Sequence, residues 1–332
     1  MEEGPAGRSG NLNARLMYGR QQVDGSVAAA PMSVYEYLPP YYRVAEGQVY
    51  SPEEARRYTE RLARTHYENF TVVSWFLPRE LRRHMFNIYA YCRWSDDLGD
   101  EIPDRAMALD ALNWWRGELD ACFDGRPGHP VFVALRETVT QFDIPAEPFH
   151  HLLDAFVQDQ TIRRFRNYEE VEHYCRRSAN PVGRLVLYLF GCRDKERQQL
   201  SDATCTALQL ANFWQDVTVD WEKDRVYLPQ DEMARFGVSD EHIARREFTP
   251  QFRDLMEFEV KRARRLFARG LPLVYMVPRR LRLDIELFTR GGEAILDRIE
   301  AQNYDVLSSR PALSKSFKAG LILQRLLGSL RP

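Results

Sequence analysis

Alternation of apolar and polar residues never persists over a useful length in this chain, so strands are nearly excluded as building elements. No run of about 18 apolar residues occurs, and no membrane-spanning helix is expected. The N-terminus lacks the apolar core of a secretory signal. Cysteine is scarce: Cys92, Cys122, Cys175, Cys192 and Cys205 form no CxxC pair and leave an odd count. Reduced thiols and a cytoplasmic setting follow as expectations. The seven histidines are scattered, with only His150 and His151 adjacent, so no zinc-type cluster is visible. Excess charge is missing too. A net charge of −2 argues against a nucleic-acid binder.

What remains reads as helix. The 332 residues are 44% hydrophobic, enough for a large core. Residues 1–31 are rich in Gly, Ala, Ser and Arg without a period and are expected to form a mobile tail. The aromatic run Tyr35 to Tyr42 is expected to dock on the body, so that residues 1–50 form a partly docking tail. From Ser51 a cap, a proline and two acids announce a helix. Helical stretches follow Pro78 and occupy 104–123, 130–142, 146–164, 168–190, 195–221, 239–243, 250–270, 278–302 and 312–328. The expectation is one all-α domain of about ten helices over residues 51–330.

Two acidic stripes stand out. The first holds Asp96, Asp97, Asp100 and Glu101; the second holds Asn212, Asp216 and Asp220. Spacings of three and four place these side chains on one helix face. Like charges four apart weaken a helix by roughly 0.2–0.5 kcal/mol each, which favours a cation between the stripes. Oxygen-only ligands suit Mg²⁺ held between carboxylates and a substrate diphosphate. One acidic cluster is ordinarily a solvated face, but Asn212 and Asp216 lie among Leu208, Leu210, Ala211, Phe213, Trp214 and Val217, too apolar a setting for that. Arg93 and Arg225 stand beside the stripes and would assist the leaving diphosphate, although Arg93 alone would equally serve as an ion-pair partner of Asp97. Phe70, Trp75, Tyr89, Tyr168, Tyr174, Phe213 and Trp214 lie near enough to stabilise a carbocation, or to be plain core.

The ordered segments His66 to Phe70, Ile88 to Asp100, Tyr174 to Gly183, Asn212 to Asp220 and Arg225 to Pro229, with a weaker match from Ile295 to Lys315, resemble the squalene and phytoene synthase family. The resemblance implies an isoprenoid synthase helical bundle with a central cavity. It implies Mg²⁺ and diphosphate binding by Asp96, Asp97, Asp100, Asn212, Asp216 and Asp220. Tyr89, Arg93, Arg225 and Tyr227 would line the diphosphate end, with His66 and Phe70 closing over the substrate. Tyr174, Asn180 and Gln215 join the expected substrate contacts. Three departures are informative. Gln215 stands where phytoene- and dehydrosqualene-forming relatives have arginine, and Asn180-Pro181 replaces a small-residue turn. Gly291-Gly292 replaces a frequent aromatic and would leave room. These features resemble the bacterial hydroxysqualene synthase branch, which converts presqualene diphosphate and water to hydroxysqualene on the way to squalene and hopanoids. The alternatives are condensation of two prenyl diphosphates, such as farnesyl diphosphate, and a non-catalytic isoprenoid-binding scaffold. The basic runs Lys261 to Arg265 and Arg279 to Arg282 read first as solvated helix face and second as contact with anionic lipid at the inner membrane face. Partnership with other squalene-pathway enzymes would fit the branch.

Overall fold

The computed structural model describes residues 34–44, 48–65 and 78–313, so the tail 1–31, His66, Phe70, Trp75 and the helix expected at 312–328 lie, wholly or largely, outside the described residues. Among the described residues the chain is helical, with one isolated bridge between Arg164 and Val226. The elements are α1 (Val34–Tyr37), α2 (Pro52–Thr65), α3 (Arg79–Asp100), α4 (Arg105–Phe123), α5 (Pro130–Phe142), α6 (Glu147–Asp159), α7 (Tyr168–Ser178), α8 (Asn180–Leu189), α9 (Lys195–Gln215), α10 (Val217–Glu222), α11 (Gln230–Phe236), α12 (Asp240–Ala244), α13 (Pro250–Gly270), α14 (Leu273–Met276) and α15 (Arg279–Ala301).

The helix starts are written locally. Asp104, Asn167, Asp194 and Thr249 each cap the following helix by accepting a backbone N–H, and Ser51 exchanges hydrogen bonds with Glu54. The two long expected segments are each interrupted. Pro181 cannot donate to the preceding turn, so 168–190 divides at Ala179 into α7 and α8. The stretch 195–221 divides at Asp216, whose backbone (φ −106°, ψ 16°) leaves the helical region. No proline or glycine marks that second break.

Two apolar cores result. The first gathers Tyr42, Trp94, Trp115, Phe132 and Phe149, with the indoles of Trp94 and Trp115 stacked at 4.9 Å. The second gathers Phe213, Trp214, Tyr227, Phe252 and Phe267. Each fully buried large side chain contributes on the order of 1.5–3 kcal/mol. Helix α9 packs along α8, α13 and α15. Gly183 lets α8 approach α9 closely, because a Cβ there would collide with Ser201 Oγ and Cys205 Sγ. The acidic end of α3 belongs to the first core and α10 to the second, so the site lies where the two halves meet.

Candidate active site

The first acidic stripe occupies the last turn and a half of α3. Its four acids do not act alike. Asp97 is buried, with Arg93 Nε donating to its Oδ2 at 3.0 Å and the Tyr42 hydroxyl donating to the same oxygen. Asp97, one of the expected metal ligands, is thus engaged by Arg93 and by the docked N-terminal segment. Helical geometry explains this, since Asp97 shares its face with Trp94 and Tyr42 covers that face. Asp96 is half-buried, with Arg93 Nη1 at 3.3 Å. Burial pushes its carboxyl up to about 6, Asp100 adds repulsion, and Arg93 opposes both. Tyr89, two turns before Asp96, has its hydroxyl raised by burial.

Asp100 settles whether the stripes face each other. Its oxygens lie 3.3 Å from Lys223 Nζ and 3.3 Å from Arg225 Nη2. Both cations follow Asp220 within five residues, and the backbone N–H of Arg225 returns to the Asp220 carbonyl at 2.8 Å. The break at Asp216 aims α10 toward α3 and makes that closure. On α10, burial and repulsion from Asp216 push the Asp220 carboxyl up to about 7, against the pull of Arg225 and Lys223, and its Oδ2 is buried without a hydrogen-bond partner. Asn212 is exposed one turn before Asp216. Arg310 reaches back from the C-terminal segment to grip both oxygens of Asp216, with Nη2 to Oδ2 at 3.1 Å.

A model of the squalene/phytoene synthase family matches residues 63–316. The chain belongs to this family. A crystal structure of squalene synthase HpnC from Alicyclobacillus acidocaldarius is 44% identical, with a TM-score of 0.74, and the match covers 76% of this chain and 95% of that one. Phytoene synthase 1 of Solanum lycopersicum is 31% identical over 257 residues, 76% of this chain and 62% of its own length. Phytoene synthase 1 of Zea mays is 30% identical over 76% of this chain and 63% of its own. The chain thus spans about three-fifths of the length of these curated relatives. A dehydrosqualene synthase structure at 23% identity, with a TM-score of 0.75, shares the isoprenoid synthase fold.

The remaining expected site residues fall as follows. Tyr174 donates to Asp159 Oδ2 at 2.9 Å, and its ring packs with Phe165, Phe213 and Tyr227. Tyr227 stacks on Phe213 with centroids 3.7 Å apart, beside Asp220 in a small cavity. Asn180 is buried and accepts from Thr206 Oγ1 at 2.9 Å. Gln215, expected at the substrate, is buried and donates to the Pro311 carbonyl. Gly292 leaves no room: a Cβ there would strike the Phe267 ring and come within 2.7 Å of Leu208 Cδ2. Phe267, from α13, fills the space of the missing side chain. His66 and Phe70 lie outside the described residues.

Sequence reasoning missed four participants. Asp159 has its carboxyl raised to about 6 by burial, opposed first by Arg225, which ties the end of α6 to the site. Gln160 donates to the Gly99 carbonyl at 2.8 Å and locks α6 to α3. Lys223 and Arg310 complete the cationic set. Only Lys223, three residues beyond Asp220, carried a usable signal.

Among the described residues no three acidic, histidine or cysteine side chains converge on one ion position. The donor set nevertheless fits a hard divalent cation. Asp96 with Asp100, and Asp216 with Asp220, are oxygen pairs whose mutual repulsion raises a carboxyl, and Asp220 carries an unpartnered buried oxygen.

Proposed function

We propose that this chain converts presqualene diphosphate and water to hydroxysqualene and diphosphate, with Mg²⁺ held by Asp96, Asp100, Asn212, Asp216 and Asp220. The observation that carries the reading is the residue before Asp216, a glutamine engaged by the Pro311 carbonyl, so that position offers no cation to a second diphosphate. Lys223 and Arg225 stand opposite Asp100. The loss of that one contact suits a substrate with one diphosphate rather than two substrates with one each. The HpnC structure, called a squalene synthase, is also more similar in sequence than the phytoene synthases.

In this reading Arg225 and Lys223 exchange Asp100 for the diphosphate and donate N–H bonds to it. Mg²⁺, when bound, neutralises the charge that grows on the leaving oxygen. The C–O bond to diphosphate breaks and its electron pair leaves with the oxygen. The cyclopropylcarbinyl cation rearranges beside the Phe213–Tyr227 stack, whose aromatic electrons favour positive charge by about 0.5–2 kcal/mol. Water oxygen then forms the new C–O bond and gives up a proton. The room once expected at Gly292 plays no part, because Phe267 fills it.

Purified chain supplied with presqualene diphosphate and Mg²⁺, without NADPH, is expected to yield a C30 alcohol. No alcohol under these conditions rejects the assignment. Consumption of farnesyl diphosphate alone would place the chain with the condensing members of the family, to which the phytoene synthase similarity points.

A further inference from the structure

The sequence between Glu259 and Asp284 contains no acidic residue, yet it holds Lys261, Arg262, Arg264, Arg265, Arg269, Arg279, Arg280 and Arg282. In a chain whose charges otherwise balance, so long an acid-free stretch is a local excess. The structure sorts these cations into two groups. Lys261 pairs with Glu257, Arg262 with Glu232 and Glu259, and Arg264 with Asp297 and Glu300, so most of the first basic run is neutralised within the fold. Arg265, Arg269 and Arg279 have no carboxylate partner among the described residues. Arg280 reaches only Glu80, in a pair exposed on both sides.

These cations surround one corner, the turn from the end of α13 through α14 into α15. Its tip carries Leu271 at 49% exposure and Tyr275 at 72%, the latter the most exposed aromatic ring named in the described fold. Pro272 and Pro278 are exposed beside them. The corner is anchored from below, not loose. Leu273 and Val277 are buried against Leu187, Cys192 and Leu281, Val274 is buried beside them in the chain, Arg282 Nε donates to the Val274 carbonyl at 3.0 Å, and Arg197 Nη1 donates to the Met276 carbonyl at 3.4 Å. The Arg282 guanidinium lies 5.9 Å from the Tyr275 ring centroid. Leu273, Val274 and Val277 thus hold the turn in the core, while Leu271, Pro272 and Tyr275 present an apolar, aromatic tip with arginines on both sides of it in the chain.

We infer that this corner is the surface by which the protein docks on an anionic lipid bilayer. The chemistry is complementary on both counts. Arginines near an anionic leaflet each contribute about 1 kcal/mol, and a tyrosine and a leucine at the tip match the headgroup boundary, where amphipathic rings settle. No helix among the described residues is long and apolar enough to cross a membrane, so the contact is peripheral. The inference is independent of which diphosphate the site takes.

The test is sedimentation of the full chain with phosphatidylcholine vesicles, with and without about 30 mol % phosphatidylglycerol, at low and moderate salt. The parent is expected to partition at least about tenfold more strongly onto the anionic vesicles, and less so as salt rises. Arg269→Glu/Arg279→Glu is expected to lose at least about tenfold in partitioning, and Leu271→Ser/Tyr275→Ser several-fold. The control pair Arg57→Glu/Arg245→Glu, on helices other than α13, α14 and α15 and exposed, is expected to bind like the parent once the small change in net charge is allowed for. Circular dichroism and melting temperature show that each variant is folded. Equal partitioning of the parent onto both vesicle types overturns the inference, as does parental binding by both corner variants or equal loss in the control. Failure here leaves the assay with presqualene diphosphate untouched.

Discussion

The two acidic helices carry similar spacings and are built differently. Helix α3 runs unbroken for 22 residues to Asp100, so its acids follow helical rotation and Asp97 turns inward while Asp96 and Asp100 turn to the gap. The second stripe breaks at Asp216, and Asp220 rides on a separate six-residue helix aimed by that break. Each stripe is also latched by a remote part of the chain. Tyr42 from the N-terminal segment holds Asp97, and Arg310 from the C-terminal segment holds Asp216. The burial differs. Asp97 is sealed in the core, whereas the Arg310 side chain is 47% exposed. The first latch therefore belongs to stability, and the second to access.

That contrast can be broken by mutation. Asp97→Ala would remove the buried anion shared by the half-buried Arg93 and the Tyr42 hydroxyl, and is expected to lower stability by about 3–5 kcal/mol in denaturant unfolding. If Asp97→Asn instead keeps its melting temperature and loses Mg²⁺-dependent turnover, Asp97 is a ligand and the division of labour is wrong. Asp220→Ala is expected to leave stability near parental, or to raise it, because it removes a carboxyl raised by burial and by Asp216. Its turnover should fall by about 100-fold or more, roughly 2.7 kcal/mol in the barrier. Comparable residual turnover in Asp97→Ala and Asp220→Ala, measured well below their melting temperatures, would erase the distinction.

Asp284 sharpens the comparison as an acid with neither latch nor metal. It is 3% exposed, neither oxygen has a hydrogen-bond partner, and burial alone pushes its carboxyl up to about 7 from an ordinary value of 3.8. The folded chain therefore holds this proton more tightly than the unfolded chain. The stability it contributes is fully present below about pH 4 and is lost as pH rises toward about 7. Asp284→Asn should accordingly gain on the parent by about 2–4 kcal/mol between pH 4 and pH 8 in unfolding experiments. A difference independent of pH would mean that the carboxyl is paired in solution. The smallest effect is expected at Arg310. Arg310→Ala should change stability by less than about 1 kcal/mol, as exposed pairs do, while tightening Mg²⁺ binding by freeing Asp216. Weaker Mg²⁺ binding, followed by calorimetry, would make Arg310 a supporting residue and not a gate.

Much of the fold was legible. Helix α5 occupies 130–142 and α13 occupies 250–270, both as read from periodicity and caps, while 168–190, read as one stretch, divides before Pro181. The break at Asp216 was not legible, because no proline or glycine marks it; it shows only in the Asp216 backbone, which leaves the helical region. Asp97 illustrates the same limit in the site. Its neighbour Asp96 has the same chemistry, and only the arrival of Tyr42 on the Trp94 face separates a buried anchor from a candidate ligand. Gly292 shows the converse: a missing side chain predicts space only when no distant ring reaches it, and Phe267 does.

The sequence by itself determined the helices, their caps and the presence of two carboxylate stripes, because periodicity, capping and charge spacing act over a few residues. Tertiary structure alone decided which acids face the gap, that Asp100 meets Lys223 and Arg225, that Gln215 turns to Pro311, and that an unpaired arginine corner surrounds Tyr275. Those outcomes depend on contacts between residues up to 125 positions apart, and local rules carry no information about which distant group arrives to neutralise, bury or leave a charge.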